Sequence, residues 1–168
     1  MSGERWAGTG HSTTSSSEQA ATEATTAAIA GRENAKLLIV FASERHDLQT
    51  LVTAINTTSG GVPLIGCSTA GEIATTGPGD ASVVVFAIGG DGFAVTTADQ
   101  RGIGARLRQA GADLATAMER ADRRNHQTLV LLTDALAGDQ QEIVRGIYSV
   151  FGAFVAGAMF LVMRWNAA

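Results

Sequence analysis

The chain has 168 residues, 45% hydrophobic and 17% charged, with a formal net charge of −4. This composition describes a single globular domain with enough chain to bury a core, and it excludes a disordered segment. One lysine (Lys36) and an acidic balance give no basis for nucleic-acid binding, and one cysteine (Cys67) leaves neither an intramolecular disulfide nor a polycysteine metal site.

Residues 6–10 read as a short first strand. A polar run over 12–17 leads into a helix, and Ser15 with Glu18 has the spacing of a capping box, in which each side chain satisfies a first-turn N–H. Ala20, Ala24, Ala27 and Ala28 recur at helical spacing, so the buried stripe is made of small side chains; Gly31 stops the helix. The continuous apolar run 37–41 predicts a strand covered on both faces. Asp47 caps a second helix with Leu48, Leu51, Val52 and Ile55 on its apolar side, and Ser59-Gly60-Gly61 ends it.

A strand over 62–65 then runs into Gly66-Cys67-Ser68-Thr69-Ala70-Gly71-Glu72, a tight turn of small residues. The two glycines let the backbone bend and a ligand approach closely. A thiol, two hydroxyls, main-chain N–H groups and a carboxylate gather there, which is the chemistry of a small-molecule pocket at a strand end. Gly77-Pro78-Gly79 marks a loop over 75–80, residues 83–88 a strand, and Gly89-Gly90-Asp91-Gly92 a hairpin turn into a further strand over 93–98.

A helix over 103–121 carries Ile103, Leu107, Ala110, Leu114, Ala117 and Met118 on one face. Arg101, Arg106 and Arg108, and again Arg120, Arg123 and Arg124, are interspersed with Asp113, Glu119 and Asp122, which reads as a solvated face. Residues 128–132 form a strand, followed by Thr133-Asp134, and Asp139 with Glu142 forms a second capping box ahead of Ile143, Val144 and Ile147. The uncharged stretch 147–163 falls short of the roughly 20 residues of a membrane helix. It contains Gly152 and Gly157 and reads as a helix end, a glycine turn and a buried strand, with a membrane segment as the alternative. No signal peptide is expected. His11, His46 and His126 lack ligand spacing, so no metal and no cofactor is called for.

Strands alternating with helices predict an α/β sandwich: a mixed, mostly parallel sheet flanked by helices. Ligands in such folds sit beyond the carboxyl ends of strands, where Cys67, Ser68, Thr69 and Asp134 all fall. Ser68, Thr69 and nearby N–H groups either hold an anionic group or cap the segment after the strand. Glu72 holds a cationic group or is an exposed carboxylate at a helix start; Asp134 holds one or bonds its own turn. Cys67 is a small buried hydrophobe or a nucleophile, the latter needing a base such as His46 or His126.

Several of these pieces together resemble the N-terminal part of the FIST sensory domain of bacterial signalling proteins. They are the strand with Gly8 and Gly10, the run 38–41 with Ala42-Ser43 and His46-Asp47, and the specific stretch Leu64-Ile65-Gly66-Cys67-Ser68-Thr69-Ala70-Gly71-Glu72-Ile73. Gly77, the strand 83–88 and Leu132-Thr133-Asp134 complete them. The resemblance covers residues 5–163 and leaves the tail 164–168 unassigned. It implies a non-enzymatic, cytoplasmic input module that binds a small molecule such as an amino acid through Gly66, Cys67, Ser68, Thr69, Gly71, Glu72 and Asp134. Its partners would be a kinase, a cyclase or a chemotaxis module. The family's pattern continues into a second sensory half, and it has a Gly-Gly turn and acidic residues where this chain has Gly157-Ala158-Met159-Phe160, so the sandwich is expected to be incomplete. Two other readings stand beside this one: a hydrolase or acyltransferase that uses Cys67, and a truncated interaction module without a ligand.

Overall fold

A computed structural model describes residues 4–118, 128–151 and 157–162. The chain forms two compact units, one built on residues up to Val95 and the other on residues from Thr96.

The first unit holds a four-stranded sheet in the order β1-β6-β2-β3, made of β1 (Trp6–Ser12), β2 (Ala35–Ser43), β3 (Leu64–Thr69) and β6 (Val83–Gly89). β6 runs antiparallel to both β1 and β2, and β2 runs parallel to β3. The α/β class and the mixed sheet agree with the sequence; parallel pairing is partial. Two helices, α1 (Ser17–Ile29) and α2 (Leu48–Ser59), pack on the face formed by Leu38, Val40, Ala42, Val83, Val85 and Ala87. Ile39 and Phe41, on the other face of β2, are only half-buried.

Small side chains bring α1 close to the sheet. A Cβ on Gly8 would overlap the Ala28 carbonyl, and one on Gly10 the Ala24 carbonyl. Ala20, Ala21, Ala24 and Ala28 are fully buried, whereas Ala27, expected in the stripe, is exposed. The N-cap is Ser16 rather than Ser15, accepting from the Gln19 N–H at 3.3 Å. Three consecutive serines offer the same cap, and the hydroxyl of Ser17 is engaged by the Asp47 N–H at 2.9 Å. Asp47 caps α2 by accepting from the Thr50 N–H at 2.7 Å, and Gly60, at φ 69°, closes it with a left-handed turn.

Two expected elements along this part of the chain also differ. The loop foreseen over 75–80 is part of a short hairpin, β4 (Glu72–Ala74) and β5 (Gly77–Gly79), with Ile73 opposite Pro78. Proline is tolerated there because the strand is an edge. The strand foreseen over 93–98 is absent, and residues 93–100 are irregular. β6 already has β1 on one side and β2 on the other, so no edge is left for a hairpin partner.

The second unit contains α3 (Leu107–Met118), β7 (Leu129–Asp134), α4 (Gln140–Phe151) and β8 (Gly157–Val162), with β7 and β8 parallel. α3 starts four residues later than its periodicity suggests, and Ile103 packs ahead of it on the cluster around Ala115, Ile143 and Ile147. Glycines again set the spacing: a Cβ on Gly111 would overlap the Ile143 carbonyl, and one on Gly146 the Arg108 carbonyl. The second capping box is only half made. The Asp139 carboxylate accepts from the Gln141 N–H at 2.9 Å, but Glu142 turns to Arg108 at 2.9 Å and to Arg145. Arg101, Arg106 and Arg108 sit in exposed ion pairs, as a solvated face requires. Arg120, Arg123 and Arg124 lie outside the described residues. Among the described residues, no helix is long and apolar enough to cross a membrane.

Gly10→Val places a branched side chain against the backbone of α1 and is expected to lower unfolding free energy by about 1–3 kcal/mol in urea denaturation. An unchanged midpoint would contradict the close helix–strand contact.

Candidate functional site

The strand pairings bring Ser12, Ser43, Thr69 and the start of β6 to one end of the sheet. Ser12, Ser43, His46, Ser68, Glu72 and Ser82 are all buried there, and α1 and α2 both begin there. The other end carries a larger cleft of about 670 Å³ lined by Glu4, Arg5, Trp6, Arg32, Glu33 and Asp91, among others. Its two guanidinium groups lie over the Phe93 and Trp6 rings, 5.5 Å from each centroid, and its three carboxylates outnumber them.

At the polar end, the stretch read as a tight turn is mostly strand. Gly66, Cys67, Ser68 and Thr69 continue β3 in register with Val40, Phe41, Ala42 and Ser43, and the chain reverses only at Ala70-Gly71. Gly66 is required by proximity, because a Cβ there would overlap the Val40 carbonyl. Pairing with Val40 to Ser43 of β2 is what carries the strand beyond residue 65.

Glu72 is neither exposed nor at a helix start. It opens β4, is 3% exposed, and has both oxygens engaged. Thr69 donates its hydroxyl to Oε1; Ser82 donates its N–H at 3.0 Å and its hydroxyl at 2.8 Å to Oε2. A buried carboxylate requires such donors, because desolvating it unpaired costs several kcal/mol. The Thr69 hydroxyl and the Glu72 carboxylate are thus occupied by each other.

Beside this cluster lies a cleft of about 440 Å³ lined by Gly71, Glu72, Ile73, Pro78, Gly79 and Asp80. Gly71 leaves its floor open: a Cβ there would meet Asp80 Oδ1 only at 3.6 Å and the Gly79 carbonyl at 3.7 Å. Asp80 is exposed at the rim, and among the described residues its carboxylate has no hydrogen bond or ion pair. Asp80 was missed in the sequence, where it stands as the last residue of a Gly-Pro-Gly loop signal. Its visibility depended on recognising the hairpin that returns it to Gly71.

Cys67 is 1% exposed, on the sheet face opposite α1 and α2, and burial pushes its thiol up to about 11. His46, 5% exposed, places Nδ1 3.4 Å from Ser17 Oγ, and its Nε2 is buried with no hydrogen-bond partner. Neither nitrogen is bonded to Cys67, and His126 lies outside the described residues. Asp134 ends β7 in the second unit. Its side chain accepts from the Leu136 N–H at 2.8 Å, and its carbonyl accepts from Gln140 Nε2 at 2.9 Å, which is local turn bonding. Among the described residues, no group of three His, Cys, Asp or Glu side chains is placed to hold a metal ion.

Residues 36–160 match the FIST N domain, and the chain belongs to that family, a family of signal-transduction sensory domains. Comparison with curated proteins and with solved structures finds no significant match.

The buried thiol sets two expectations. Iodoacetamide at neutral pH should label Cys67 only as fast as the protein opens; rapid labelling of the folded protein would contradict its burial. Because the folded thiol holds its proton more tightly than the unfolded one, its contribution is fully present below about 9 and is lost as pH rises from there towards about 11. Stability measured across that window should therefore fall more steeply for the parent chain than for Cys67→Ala. Equal slopes would contradict the shift.

Proposed function

We propose that this chain is the cytoplasmic input module of a bacterial signalling system and binds a small amino-bearing molecule, such as an amino acid, in the cleft beside Gly71. The observation that carries this reading is the open, glycine-floored cleft with an uncommitted carboxylate, Asp80, at its rim, within the family's matched segment. Asp80 would hold the ammonium group, a role the sequence offered to Glu72 or Asp134. Glu72 shapes the cleft wall from inside. Ile73 and Pro78 supply an apolar lip for the rest of the ligand. The output would pass to a kinase, a cyclase or a chemotaxis module, and a ligand could drive it only by preferring one conformation of the module over another. The burial of Cys67 and its high thiol pKa favour this reading over a cysteine-dependent hydrolase.

A thermal-shift screen of L-amino acids, simple amines and small carboxylates tests it. A ligand at 100 times its Kd should add about 2.7 kcal/mol of stability. Asp80→Asn should weaken amine-bearing hits by roughly two- to fivefold, the range of an exposed charge pair, and should not weaken amine-free carboxylates, which the lost charge repelled. Gly71→Trp should abolish binding by filling the cleft, with its folding checked by the thermal unfolding transition of the same assay. A folded protein that responds to nothing in the panel would refute the reading.

A further inference from the structure

We propose that the β4–β5 hairpin is a spring-loaded flap: Glu72 latches it to the end of the sheet, and strained backbone at Ala81 favours its release. The hairpin has only three residues in each strand. A ribbon of that size does not support itself in water. Nor is it held by apolar burial. Ile73 is 82% exposed, Pro78 is exposed, and Glu72 is the one fully buried residue between Gly71 and Asp80. Its attachment therefore rests on a carboxylate that accepts from Thr69, at the end of β3, and from Ser82, just ahead of β6.

The residue beside that anchor is strained. Ala81 has φ 60°, a left-handed conformation in which its Cβ crowds the backbone and which glycine adopts freely. The strain lies directly next to Ser82, which supplies two of the three donors to Glu72. The latched arrangement thus enforces an unfavourable backbone, and release relieves it while letting Glu72 return to water. Local strain of this kind persists only where surrounding contacts over-determine it. Gly71, where an added Cβ would meet only Asp80 Oδ1 at 3.6 Å and the Gly79 carbonyl at 3.7 Å, gives the second pivot. The flap supplies most of the lining of the cleft beside Gly71. If the ligand reading above holds, a guest in the cleft keeps the flap shut, and flap position is the signal; the flap itself does not depend on that reading.

The test is hydrogen–deuterium exchange by mass spectrometry on the full 168-residue chain without added ligand. Peptides over 70–81 report on the flap, and peptides over 51–59 in α2, which touch neither substituted residue, are the internal reference. Thr69→Val with Ser82→Ala removes both hydroxyl donors and adds no side chain longer than the one it replaces. It should speed exchange of the flap by about tenfold or more, with the reference unchanged. Ala81→Gly removes the strain and keeps the latch; it should slow flap exchange by about fivefold. Flap exchange that is unaltered in the double variant, or that rises only in step with the reference, would overturn the latch. Flap exchange that is unaltered or faster in Ala81→Gly would overturn the spring. A failed ligand screen leaves this result standing, and a rigid flap leaves the screen's result standing.

Discussion

A buried carboxylate with no cation beside it dictates the architecture at the polar end of the sheet. Among the described residues, Glu72 has no ion pair, so neutral donors must satisfy it. Those donors come from two strands far apart in sequence: Thr69 closes β3, and Ser82 precedes β6. Ser82 in turn accepts, through its carbonyl, from the Ser43 N–H at 3.0 Å at the end of β2. One carboxylate therefore ties together the ends of the parallel pair β2–β3 and the antiparallel pair β2–β6. Removing one partner from such a cluster strands the others without water, and that asymmetry makes buried polar groups demanding.

The apolar half of the first unit follows a different rule. α1 approaches the sheet through glycine and alanine, so that contact buries little area, and the larger fully buried side chains are few: Leu38, Val40, Leu51, Ile55, Val83 and Val85. Full burial of each contributes about 1.5–3 kcal/mol relative to exposure. A thin, close-packed core on one face and a hydrogen-bonded cluster at one end leave the hairpin between β3 and β6 as the least supported element. A sensory role needs an element of that kind, because a ligand can bias only an equilibrium that exists.

Much of this was legible in the sequence, and the failures have physical causes. The strands at 37–41 and 83–88 and the helix capped by Asp47 were readable because apolar periodicity and capping chemistry act locally. The missing strand after Gly92 was not, because the number of free edges on β6 is a property of the whole sheet. Glu72 illustrates the same limit: its neighbours gave no sign that Ser82, ten residues on, would return to meet it. Gly66 to Thr69 looked like a turn because small residues favour turns, but a strand buried beside Val40 also needs a small residue at Gly66. Ser68 and Thr69 accordingly emerged as strand residues and Asp80 as a rim residue.

The central claim is that a small amino-bearing molecule is read at the glycine-floored cleft next to the Glu72 cluster. The most direct measurement is a titration of the uniformly labelled chain with a pool of L-amino acids, followed by backbone amide chemical shifts. Saturable shifts concentrated over residues 70–82 are the predicted result. Shifts confined to other parts of the chain, or none at millimolar concentrations, would contradict it.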